Sequence, residues 1–147
     1  MTYSIGVNCE IILDGQGYFI KANSYTVKQP RIRKAQYRAD GSLSYVDIGP
    51  GKRTWTMVIL CLNNLVKYDG TQTGLTGEQY RDALRSSYTG NIATTINFTD
   101  PLSGTAIPVY FDSYEETIID LHSQIVAVST GSSAGASYDV KISLQEA

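Results

Sequence analysis

Residues 53–62 read Arg-Thr-Trp-Thr-Met-Val-Ile-Leu-Cys-Leu, and this run limits the possible folds more than any other segment. Trp55, Met57, Ile59 and Cys61 alternate with Thr54, Thr56, Val58, Leu60 and Leu62, so a strand would place the two sets on opposite faces. The spacing predicts a strand that begins amphipathic and ends buried on both faces. The last strand alternates as cleanly, with Tyr138, Val140, Ile142 and Leu144 set against Asp139, Lys141, Ser143 and Gln145.

Further strands follow from shorter runs. Residues 10–13 and 18–20 flank Asp14-Gly15-Gln16-Gly17, whose glycines supply the positive φ of a tight turn. Residues 94–99 place Ile96 and Phe98 inward. After the turn at 100–104, residues 105–112 place Ile107, Val109 and Phe111 inward. Another extended stretch is expected over 117–128, with 129–137 as a small, polar hairpin loop. Charged residues make up only 18% of the chain and there are eleven tyrosines, a mix that suits pleated, half-buried surfaces.

One helix stands out. Thr76 with Gln79 three residues later forms a capping box, and Leu75 and Tyr80 occupy the positions of a hydrophobic staple. Tyr80, Ala83, Leu84 and Tyr88 share a face, Arg81, Asp82 and Arg85 fall on or near the wet side, and Gly90 stands where a terminating glycine is expected. The helix is predicted over about 77–88. With no repeat or linker in 147 residues, the expectation is one mostly β domain spanning 1–147: a β-sandwich or open barrel flanked by one helix.

Residues 31–38 and 43–48 surround Asp40-Gly41, a strong β-hairpin signal. Neither face of its first arm is strongly apolar, so the hairpin (about 31–48) is expected to project from the core. Seven of the twelve basic residues lie between 28 and 53: Lys28, Arg31, Arg33, Lys34, Arg38, Lys52 and Arg53. An acidic group, Asp112, Glu115, Glu116 and Asp120, lies far away in sequence. Three readings of the basic arm stand side by side: an arm docking on the acidic patch of a neighbouring copy, a nucleic-acid surface with Tyr37 and Tyr45 available for stacking, or a solvated hairpin whose charges discourage edge-to-edge aggregation.

Catalytic chemistry finds little support. His122 is the only histidine, with no nucleophile motif beside it. Cys9 and Cys61 are read as two buried thiols, not as metal ligands or a disulfide framework. The acidic group lacks the ordered ligand spacing of a calcium loop. Gly49-Pro50-Gly51-Lys52 lacks the spacing of a phosphate loop and leads into a strand. The expectation is no enzyme, no metal and no cofactor. Met1-Thr2-Tyr3-Ser4 has no basic or apolar signal region, no run suggests a membrane span, and a net charge of −2 does not point to specific nucleic-acid binding.

The order of elements resembles that of a known family. Arg53-Thr54-Trp55-Thr56-Met57 opens a strong strand. Leu75-Thr76-Gly77-Glu78-Gln79-Tyr80 with Leu84 follows, then Thr95-Ile96-Asn97-Phe98-Thr99-Asp100-Pro101, then Gly104 and Val109-Tyr110-Phe111. This resembles tailed-bacteriophage tail proteins of the tail-tube fold, especially the N-terminal domain of siphophage distal tail (baseplate) proteins. The resemblance implies a virion structural protein, made in the host cytoplasm, that forms a homohexameric ring at the distal end of the tail tube. The implied partners are other copies of itself, the tail tube and the tail hub or tip. A plain tail-tube subunit, a tail terminator or another ring-forming adaptor fits the same pattern. Receptor-binding roles attached to a second domain in distal tail proteins are not carried over. From a different class, a β-sandwich module binding carbohydrate or another ligand through Tyr and Trp remains open.

Overall fold

The computed structural model describes residues 3–62, 65–119 and 137–147. Nine strands and one helix are present among them: β1 (Ile11–Leu13), β2 (Gln16–Ile20), β3 (Thr26–Lys28), β4 (Arg31–Tyr37), β5 (Leu43–Pro50), β6 (Thr54–Cys61), α1 (Gly77–Gly90), β7 (Ile96–Thr99), β8 (Ala106–Ile118) and β9 (Tyr138–Glu146). The fold is mostly β with one flanking helix, as the alternating patterns predict.

Seven strands form one antiparallel sheet in the order β2-β1-β7-β8-β9-β6-β3. The sheet also meets itself, because β2 pairs with β6 through Phe19↔Leu60 and Ile20↔Ile59. β3 pairs along the same edge of β6 through Thr26↔Thr56, Val27↔Trp55 and Lys28↔Thr54. On its other edge β6 pairs with β9 from Thr54↔Gln145 to Cys61↔Tyr138. The strand therefore has partners on both sides, and the sheet curls into a barrel wall.

The barrel interior is the core. Trp55, Met57, Ile59 and Cys61 of β6 meet Tyr138, Val140, Ile142 and Leu144 of β9, with Ile11, Leu13, Tyr18, Ile96, Phe98, Val109 and Phe111 from the other strands. The outer face of β6 is only half-buried to its end, so the expectation of burial on both faces is not met. Between the β2 and β3 pairings, Ser24 satisfies the edge of β6 with its hydroxyl oxygen, which accepts from the Val58 amide at 3.2 Å.

The β1–β2 turn is tighter than expected. Asp14 (φ 51°) and Gly15 (φ 80°) form a two-residue loop between the paired residues Leu13 and Gln16, the geometry that matches strand twist. Gly17 is already part of the strand, and its role is close packing. A Cβ there would lie 2.3 Å from the Tyr3 ring and 2.7 Å from the Cys9 Cβ.

The capping box of α1 forms as predicted: Thr76 Oγ1 accepts from the Gln79 amide at 3.2 Å, and Gln79 Oε1 accepts from the Thr76 amide at 2.9 Å. Tyr80 and Leu84 are buried in the core, and Leu75, Ala83 and Tyr88 pack against it half-buried. The Ser87 hydroxyl donates to the Asp14 carboxylate, tying the helix to the β1–β2 turn. The C-terminus differs from expectation, because Gly90 is itself helical and Asn91 caps, donating from Nδ2 to the Ser87 carbonyl at 2.7 Å. Arg81 also leaves the wet side: its guanidinium lies 4.6 Å from the Tyr138 ring centroid and donates to the Tyr138 hydroxyl at 2.9 Å.

β8 does not stop at Asp112. A bulge between Phe111 and Ser113 shifts its register against β9, and pairing continues to Ile118↔Tyr138. Inward positions are odd up to Phe111 and even from Tyr114 onward, which breaks the strict alternation a sequence reading relies on. The rest of the expected stretch beyond Ile119, including His122, and nearly all of the expected loop at 129–137 lie outside the described residues.

The barrel and the hairpin should respond differently to substitution. Leu84→Ala, in a fully buried site, is expected to cost about 2–5 kcal/mol in urea unfolding, and Thr76→Ala about 1 kcal/mol through loss of the cap. Tyr45→Ser in the exposed hairpin should stay within about 0.5 kcal/mol.

Candidate assembly interface

β4 and β5 form a two-stranded sheet of their own, antiparallel from Arg31↔Pro50 to Tyr37↔Leu43. The Arg38 amide donates to the Ser42 carbonyl (2.8 Å) and the Gly41 amide to the Arg38 carbonyl (3.0 Å), with Gly41 at φ 84°. This closes a three-residue loop with glycine at the left-handed position. Asp40 steadies it by accepting from the Ser42 amide and hydroxyl, and those bonds lower the Asp40 pKa.

The two legs of the hairpin are tied to each other where they leave the barrel. The Gly51 amide donates to the Pro30 carbonyl (2.5 Å) and Gln29 Nε2 to the Gly51 carbonyl (3.1 Å). Arg53 forms an ion pair with Glu146 at 2.7 Å and lies 5.1 Å from the Trp55 ring centroid. Donation from Arg53 is also the main reason the Glu146 carboxyl titrates below its ordinary range. Beyond this base, every residue of β4 is exposed.

The basic residues sit where the sequence suggests, though not on one surface. Arg31 and Arg33 share a face with Ala35, Tyr37, Leu43, Tyr45 and Asp47, whereas Lys34 lies opposite Val46 on the other face. Arg31 is paired with Asp47. Arg38 stands at the turn, and Lys28 ends β3 beside the hairpin base. Lys28, Arg33, Lys34 and Arg38 are exposed and make no ion pair among the described residues.

The acidic group is dispersed. Glu115 and Glu116 point to opposite faces of β8, Glu115 standing opposite Lys141 on the outside. Glu116 turns toward the helix, where Arg85 (2.5 Å) and the Tyr114 hydroxyl (2.7 Å) bind it. Asp112 is the extra residue of the bulge, exposed and without a partner among the described residues. Asp120 lies outside them. Asp112 and Glu115 thus remain as exposed acids, on different parts of the strand.

Charge alone misses the larger feature of the hairpin, its exposed apolar surface. Tyr37 is 82% exposed, Tyr45 65% and Ile48 63%, with Ile32, Leu43 and Val46 also exposed. Tyr37 and Leu43 are directly opposed, and Tyr45 follows on the same face. In sequence this patch is hidden, because Tyr45 and Val46 are adjacent and the register slips beside Ile32, so no alternation reveals it. A two-stranded ribbon is at best marginally stable alone in water, and large exposed apolar patches mark contact surfaces.

No group of three or more His, Cys, Asp or Glu side chains suited to a metal occurs among the described residues. Among the described residues no helix is long and apolar enough to cross a membrane. No protein-family model matches the chain, and no curated protein matches it in sequence. Both cysteines are free and buried. Burial is the main cause that raises the Cys9 thiol to about 11 and the Cys61 thiol to about 12.

Neither thiol should react with an aromatic disulfide reagent at neutral pH until the chain unfolds; prompt labelling of the folded protein would contradict this. Both thiols titrate higher in the folded chain than in the unfolded one. Their contribution to stability is therefore complete below pH 9.0 and is lost as pH rises through about 11 and about 12.

Proposed function

We propose that this chain is a virion structural protein of the tailed-phage type, whose function is to self-associate into a ring at the distal end of a tail tube. The observation that carries the reading is the hairpin, its legs bonded together at the base, which presents exposed apolar and cationic side chains away from the barrel wall. Seven residues of β4 at about 3.3 Å each carry its turn about 23 Å along the ribbon, a reach suited to a neighbouring subunit. The order of elements, which resembles distal tail proteins, supplies the biological setting. A contact between an arm and a different surface of the next copy is heterologous, and such contacts close into rings when the rotation permits.

Under this reading the barrel serves as a rigid mount. Cations around the arm steer and orient the encounter, while apolar side chains supply most of the contact energy. Hub, tube and tip proteins would meet other surfaces of the same ring.

Replacing Arg33, Lys34 and Arg38 together with Glu should weaken self-association while the β-rich circular dichroism spectrum persists. Arg31 is left in place to keep its pair with Asp47. Rings in negative-stain images of the unmodified chain, and a fall in light-scattering mass for the variant or at high salt, are the expected results. An unmodified chain that stays monomeric at high concentration would defeat the proposal.

A further inference from the structure

A cleft of about 430 Å³ opens between the C-terminal end of α1 and the bulged part of β8. Its floor is aromatic, because Tyr88 packs on Phe111 (5.2 Å between ring centroids); Tyr114, outside the lining, stacks on Tyr88 and backs it (5.8 Å, 19° between planes). Ile92, 82% exposed, and Tyr110 form apolar walls, and Asn91 and Asp112 bring polar groups to the rim. The lining contains no cation. The last turn of α1 carries no basic residue either, so the negative end of the helix dipole adds to the Asp112 charge.

Resting on the ring reading above, we infer that this cleft is the receptor for the hairpin of the adjacent copy, with Tyr37 seated in it and Arg38 facing Asp112. The two surfaces are complementary in chemistry and sign. Tyr37 is the most exposed aromatic side chain of the hairpin. A tyrosine suits a site with an aromatic floor and polar rim, since its ring stacks while its hydroxyl reaches Asn91 or Asp112. Arg38 follows it at the turn, and both Arg38 and Asp112 are charges without partners among the described residues. The bulge has a purpose on this view: it lifts Asp112 out of the β8–β9 ladder and toward an incoming chain. Arm and cleft belong to the same chain, so each copy would present one of each, and the contact would propagate in one direction around a ring.

The test compares sedimentation of the full chain with that of Tyr37→Ala, Arg38→Asp, Asp112→Arg and the double Arg38→Asp/Asp112→Arg variant. All replace exposed side chains, and circular dichroism checks that each folds. The expected result is self-association weakened about thirtyfold by Tyr37→Ala, weakened by either single charge reversal, and recovered in the double variant. Weakening by Tyr37→Ala without recovery in the double variant means that the arm binds elsewhere, which overturns the cleft as its receptor. Assembly untouched by Tyr37→Ala and Asp112→Arg overturns the docking while leaving the ring reading intact. An unmodified chain with no self-association overturns both.

Discussion

The double pairing of β6 is the constraint from which the rest of the molecule follows. One edge meets β9 along the whole strand, and the other meets β3 and then β2. Every inward side chain on it is fully buried, from Trp55 to Cys61. Because β2 closes onto β6, the inward residues of six strands converge on one interior. α1 completes the interior: Tyr80 and Leu84 enter the core while Ser87 fixes the helix to the Asp14 turn. The start of β6 is also the base of the hairpin: Gly51 and Pro30 bond its two legs together, and Arg53 pairs with Glu146 of the wall beside them. Barrel closure therefore determines where the hairpin leaves the body.

What could be read in the sequence was whatever depends on a single element. The capping box is a contact between residues three apart, so Thr76 and Gln79 announce it directly. The alternation of β6 and β9 survives because both strands are regular and one face of each is dry. The failures are places where a second element decides. Arg81 counts as solvent-facing on a helical wheel, but Tyr138 arrives from β9 to receive it. Gly90 has the composition of a terminator, yet Asn91 performs the capping. The bulge at Asp112 inverts the phase of β8, so that Asp112 stands out of the ladder, Glu115 faces outward and Glu116 pairs with Arg85. Periodicity cannot foresee a change of register that only the partner strand defines.

The candidate site follows the same logic. Its cations are countable in the sequence, and the Asp-Gly turn makes the hairpin evident. Its apolar content is not evident, because Leu43, Tyr45, Val46 and Ile48 look like an ordinary strand until the hairpin is found to have no sheet or helix packed on it among the described residues. Placement on a ribbon with two open faces changes their meaning from core to surface.

A solvated hairpin protected by its charges explains Arg33, Lys34 and Arg38, but it leaves the exposed aromatic and aliphatic side chains without a purpose. Complete burial of six such side chains would contribute on the order of 10 kcal/mol at about 1.5–3 kcal/mol each. Association costs on the order of 4–15 kcal/mol in lost freedom, so one arm in one cleft would form a weak pair. Weak pairs suit a closing ring, because the last contact is intramolecular and gains from effective concentration. On the proposed ring reading, a chain that carries arm and receptor together would remain dispersed at low concentration and still form a cohesive closed assembly. Closure demands that the angle between arm and receptor be limited, and the bond between Gly51 and Pro30 holds the two legs of the arm together where they leave the wall, next to the Arg53–Glu146 pair.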